Sequence, residues 1–167
     1  SDVCSSDLLE LGGKNACIIY PDADLDRAIP GAVNGMNFTW CGQSCGSTSR
    51  LFVHRSIHDQ VVAGMLKAVR HYQPGIPTEM ATTMGAIVSK AQWEKILGYV
   101  DIARSEGAQL VYGGGVPADP RLARGWFVEP TIFTGVSQSM RIANEEVFGP
   151  ILSVLPWDDE DTLFEQV

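Results

Sequence analysis

Three short stretches of this sequence hold residue types able to do covalent chemistry on a small molecule. Gly42-Gln43-Ser44-Cys45-Gly46 sets a cysteine between glycines. A thiol in such a loop is accessible and meets backbone N–H groups that no helix or strand has claimed. These lower a thiol pKa and can hold a developing oxyanion. The same string also fits a small buried residue, since free cysteine is often buried. Glu10-Leu11-Gly12-Gly13-Lys14 puts a carboxylate before two glycines, which let a backbone approach a ligand closely. It fits a surface acid before a turn equally well. Glu145-Glu146-Val147-Phe148-Gly149-Pro150 joins two acids, an aromatic ring and a Gly-Pro turn. The acids suit ribose hydroxyls and the ring suits stacking, although a helix end followed by a turn gives the same letters.

Composition narrows what such groups can act on. The 167 residues suit one domain able to bury a core. With 12 basic and 20 acidic residues the net charge is -8, the wrong sign for a nucleic-acid partner. No apolar run approaches the roughly 18 residues a membrane span needs, and no basic-then-apolar leader opens the chain. Four cysteines (Cys4, Cys17, Cys41, Cys45) are too few and too uneven for a disulfide scaffold, so a reducing cytoplasm is expected. Cys17 sits in an apolar run and reads as core; Cys41 stays undecided. No metal-ligand cluster is expected.

The elements that must position these residues alternate strand and helix. Residues 16–20 read as a buried strand, and the acids from Asp22 to Asp26 open a helix that Pro30 kinks or restarts. Residues 50–54 form the next strand. Ser56 is expected to cap a helix with Ile57, Val61, Met65, Leu66 and Val69 on one face. Pro74, Gly75 and Pro77 mark a loop. Ser89 is expected to cap another helix burying Trp93, Ile96, Leu97 and Val100, which Gly107 ends. Strands follow at residues 109–112, 127–134 and 151–155, with Gly113-Gly114-Gly115 between the first two. Acidic residues open a last helix over 159–167. The expected fold class is α/β, a mostly parallel sheet flanked by helices.

The three stretches, in this order, resemble the glutamate, cysteine and cofactor-ribose motifs of the aldehyde dehydrogenase superfamily. They lie 35 positions apart from Glu10 to Cys45 and 101 from Cys45 to Glu146. Asp22-Ala23-Asp24-Leu25-Asp26, Gly46-Ser47-Thr48-Ser49-Arg50 and Pro130-Thr131-Ile132-Phe133 are also family-like, so the resemblance runs from about Leu9 to Val167. It implies a truncated catalytic domain that oxidises an aldehyde to a carboxylic acid with NAD or NADP. Cys45 would attack the aldehyde, and Glu10 would activate the water that releases the acid. Glu146 would hold the nicotinamide ribose, with Phe148 beside the ring and the main chain of Leu11 and Gly12 against the nicotinamide. Acylating members commonly lack that glutamate, so Glu10 implies hydrolysis. The full-length enzyme would be a homo-oligomer acting on a small aldehyde, without nucleic acid or membrane.

Some features depart from the family. Ala86 stands where a proline is usual. Residues 1–8 do not continue the family's strand and read as a non-native leader, which removes Cys4 from consideration. The dinucleotide-binding domain and the asparagine that completes the oxyanion hole are expected upstream of this chain, so 9–167 alone is expected to be inactive. A rival reading, a cysteine hydrolase, needs a histidine beside Cys45, and the candidates are His54, His58 and His71. Another is a folding fragment with no catalysis of its own.

Overall fold

The computed structural model describes residues 11–167; the expected leader over 1–8, Cys4 and Glu10 lie outside the described residues. Five strands form one sheet in the order β1-β2-β5-β4-β3. They are β1 (Ala16–Ile19), β2 (Arg50–His54), β3 (Gln109–Tyr112), β4 (Thr131–Thr134) and β5 (Ile151–Trp157). The pairs β1–β2, β2–β5 and β4–β5 are parallel and β3–β4 is antiparallel, so the sheet is mostly parallel, as expected.

Side chains alternate along the strands and feed two cores. Leu51, Val53, Ile132, Leu152 and Val154 pack with residues of helices α1 (Leu25–Gly35) and α2 (His58–Ala68) on one face. Phe52, Phe133, Ile151, Leu155 and Trp157 pack on the other with α3 (Lys90–Ser105), α4 (Arg141–Asn144) and α5 (Glu160–Gln166). Parallel ladders need this double cover, because both faces of their strands are apolar.

Four local expectations need correction. α1 runs through Pro30 as one helix, which removes the second start but not the kink; Pro30 is exposed, so water can reach the carbonyl its missing N–H leaves unpaired. Ser56 does not cap α2; its own N–H donates to His54 Nδ1, and a short 3-10 turn intervenes. β4 starts at Thr131 because Pro130 has no N–H, while the Glu129 N–H donates to Gly115. β5 runs on to Trp157 through Pro156, past the last residue paired with β4, where a missing donor is tolerated.

Other expectations hold. Asp24 caps α1, accepting from the Asp26 N–H, and Ser89 caps α3, accepting from the Gln92 N–H. α3 closes at Gly107 with Ala108 N–H donating to Ala103 and Gly107 N–H to Arg104.

Candidate active site

The cysteine loop is built by backbone turns that few sequences permit. After α1 the chain passes through Asn37 at φ 57°, a 3-10 turn at Phe38–Trp40, then Cys41 and Gly42 in the left-handed region at φ 57° and 63°. A Cβ on Gly42 would lie 2.2 Å from the Gly149 carbonyl oxygen, so this position admits only glycine. The loop's backbone therefore rests directly on the turn that follows Glu146. Ser47 closes the loop from within, its hydroxyl donating to Gly42 O at 3.4 Å and its N–H to Ser44 O at 3.0 Å.

The segment after Glu10 is tied to both other stretches. Gly13 N–H donates to Glu146 Oε1 at 2.9 Å. The Asn15 amide donates to the carbonyl of Cys45. Arg50, buried at the start of β2, grips the Lys14 carbonyl with Nε at 2.9 Å and Nη2 at 2.6 Å. Gly13, Gly42, Ser44, Glu146 and Phe148 consequently line one small cleft. The Leu11 side chain is 75 % exposed, and Leu11 is not among the residues that line this cleft.

The third stretch is a strained turn braced by side chains of α3. Phe148 has φ 56°, a conformation that costs an aromatic residue on the order of 1–3 kcal/mol and persists only where neighbours enforce it. The Gln92 amide donates to both Val147 O (2.8 Å) and Phe148 O (2.9 Å), and Lys95 Nζ donates to Glu146 O (2.8 Å). Glu145 faces away: Arg141 takes both its oxygens and Tyr99 donates to it, which holds its carboxyl down at about 2. Of the two acids, Glu146 is the one at the glycine turn. Its neighbour Lys14 is lowered to about 8 by burial and by Arg50, against the pull of Glu146.

Burial separates Cys41 from Cys45, whereas Cys17 and Cys45 are both half-buried. Cys41, undecided from sequence, is buried with its thiol donating to Gly85 O at 3.2 Å, and burial pushes it up to about 11. Cys17 lies half-buried in β1 and is also raised by burial. The histidines are engaged locally. His54 bonds Ser56 Oγ and meets the Trp157 ring edge-on, His58 pairs with Asp59, and His71 meets the Tyr72 ring edge-on. A larger cleft between Tyr72, Tyr112, Asp119 and Glu129 contains none of the three stretches.

The model of the aldehyde dehydrogenase family matches residues 4–167. The chain belongs to the aldehyde dehydrogenase family. Among aldehyde dehydrogenases, the enzyme tropH of Talaromyces stipitatus is 52% identical over 163 residues, covering 95% of this chain and 32% of that one. The betaine aldehyde dehydrogenase of Mesorhizobium japonicum is 46% identical over 158 residues, covering 95% and 32%. A solved betaine aldehyde dehydrogenase of Staphylococcus aureus, in complex with NAD+, superposes with a TM-score of 0.89 at 38% identity, covering 94% of this chain and 31% of that one. The NAD+ complex of a Bacillus cereus aldehyde dehydrogenase does so at 0.87 and 41%, covering 94% and 31%. This chain thus spans about a third of the length of these aldehyde dehydrogenases.

Asn15, Gln92 and Lys95 were not singled out from sequence, and Arg50 only as the end of a family-like stretch. Each acts on a main-chain carbonyl far along the chain, and Gln92 in particular looks like the fourth residue of a Ser-capped helix start.

Proposed function

We propose that this chain carries the catalytic centre of an enzyme that oxidises an aldehyde to its carboxylic acid with NAD+ or NADP+. The observation behind this reading is the packing of three distant stretches, Gly12-Gly13, the Cys45 loop and the Glu146-to-Gly149 turn, around one cleft. They suit the nicotinamide end of a dinucleotide: a carboxylate for ribose hydroxyls, a backbone free of side chains at Gly12 and Gly13, and a half-exposed ring at Phe148. The bound nicotinamide would accept the hydride.

The chain's own residues do the rest. Cys45 as thiolate adds to the aldehyde carbon, giving a thiohemiacetal, and its backbone N–H helps to hold the oxyanion. Loss of hydride leaves a thioester on Cys45. Glu10 takes a proton from the water that cleaves it, releasing the acid and restoring the thiolate. Glu146 orients the ribose, and the main chain of Leu11 and Gly12 flanks the nicotinamide. We place the enzyme in the cytoplasm, where the thiol stays reduced, and as a homo-oligomer at full length. Among the described residues no helix is long and apolar enough to cross a membrane. The cysteine-hydrolase reading loses ground, because each histidine already has a local partner.

Alkylation tests this reading. In a full-length protein containing this chain, iodoacetamide at neutral pH should label Cys45 first and stop aldehyde-dependent reduction of NAD+ or NADP+ in step. At about 11, the Cys41 thiol is ionised to only about one part in ten thousand at pH 7, so it should react far more slowly. Early labelling of Cys41 or Cys17 with activity kept would contradict the assignment.

A further inference from the structure

We propose that Gly12 is a positioning residue for the cofactor: by lacking a side chain it keeps the place in which the Glu146 carboxylate must stand to meet the ribose. This rests on the reading of Glu146 given above and extends it to a residue whose expected part was main-chain contact alone.

The crowding against Glu146 is specific to Gly12. An ideal Cβ there would lie 2.4 Å from Glu146 Oε1, 2.6 Å from Oε2 and 2.8 Å from the carboxyl carbon. At Gly13 the same construction meets nothing within 4 Å. Backbone conformation does not explain the glycine, because Gly12 is not among the residues with positive φ. What remains is the carboxylate itself.

The main chain of Glu146 is braced on both sides of the turn. Its carbonyl is held by Lys95 Nζ at 2.8 Å, and the next two carbonyls are held by the Gln92 amide. Gly149 is wedged against Ile96, where a Cβ would come within 2.5 Å. A methyl group on residue 12 would therefore be accommodated by rotation of the Glu146 side chain, a flexible end with soft torsions. That rotation breaks the Gly13 N–H bond to Oε1 and removes the carboxylate from the ribose, while the fold survives. The Gly12–Gly13 pair thus divides its work: Gly12 supplies room and Gly13 supplies the donor that fixes the angle.

The test is a double-mutant cycle on NAD+ affinity, read by calorimetry in a full-length protein containing this chain, with no turnover involved. Glu146→Ala should weaken binding about tenfold and Gly12→Ala by a similar factor, whereas adding Gly12→Ala to Glu146→Ala should change it less than about twofold. Equal losses from Gly12→Ala in both backgrounds would overturn the proposal, as would unchanged affinity of Gly12→Ala beside a weakened Glu146→Ala. Undiminished affinity of Glu146→Ala would instead overturn the ribose reading, and the proposal with it. Should Gly12→Ala fail to fold, the Gly12→Ala, Glu146→Ala pair should fold and bind as Glu146→Ala does. Failure of the pair as well would mean that the methyl group strikes something other than the carboxylate.

Discussion

At Glu145 the carboxylate receives the Arg141 guanidinium on both oxygens, at 2.8 Å each, together with the Tyr99 hydroxyl. One residue on, Glu146 turns to the Gly13 N–H. Two adjacent acids thus take different tasks because α4 ends just before them: Glu145, its C-cap, still faces the arginine four positions back, and Glu146 lies beyond it. The ion pair has a pH signature. Glu145 is held at about 2, below its ordinary 4.5, so its contribution to stability is present above 4.5 and fades as pH falls toward 2. Glu145→Gln should therefore lower the urea midpoint at neutral pH, and the gap to the parent should close between about pH 4.5 and 2. A gap that persists unchanged at pH 2 would show that Glu145 acts through packing instead. Added salt should narrow the neutral-pH gap, since the pair is exposed to solvent.

At the scale of elements, the cysteine loop and the Glu146 turn are held by contacts of different kinds. The loop depends on Gly42, whose φ of 63° and contact with the Gly149 carbonyl exclude any side chain. Gly42→Ala should cost about 2 kcal/mol or more, visible as a lowered unfolding midpoint. A loss under about 0.5 kcal/mol, the size of an ordinary surface change, would mean that the loop can shift away from the turn. The strands and helices were legible in sequence because apolar periodicity reports directly which face is buried: α3, its Ser89 cap and its Gly107 end appear as expected. Boundaries set by hydrogen-bond supply were less legible. Pro130 delays β4, and Pro156 does not stop β5, because the outcome depends on which neighbouring strand is present at that position. The three stretches of the site were recognisable by residue type. Their braces were not, since Gln92 could as well complete the cap of its own helix, and only the fold shows its amide reaching Val147 and Phe148.

At the scale of the whole molecule, this chain corresponds to about a third of its relatives. In the proposed reading, Glu146 and Phe148 would reach only the nicotinamide end of a dinucleotide. The pyrophosphate usually rests on a glycine-rich turn that opens a helix. Gly113-Gly114-Gly115 does not serve, because Gly113 lies against the Pro130 carbonyl, Gly114 N–H donates to Thr131 Oγ1, and the chain leads on to a 3-10 turn at Pro120–Leu122. Residues 9–167 expressed alone should therefore show no calorimetric binding of NAD+ or NADP+ in the micromolar range and no aldehyde oxidation. Tight binding by that piece, with folding confirmed by circular dichroism, would mean that it holds more of the cofactor site than its residues indicate.

The central claim is that oxidation passes through a thioester on Cys45 which Glu10 then helps water to cleave, and trapping that thioester tests it most directly. Glu10→Gln keeps the side chain's shape but removes the base, so in a full-length protein containing this chain the acyl-enzyme should accumulate. Rapid mixing with aldehyde and cofactor should give a burst of reduced cofactor near one equivalent per chain. Acid quench and peptide mass spectrometry should place the acyl group on Cys45. A burst that vanishes together with steady turnover, or an acyl group found on any residue other than Cys45, would contradict the account.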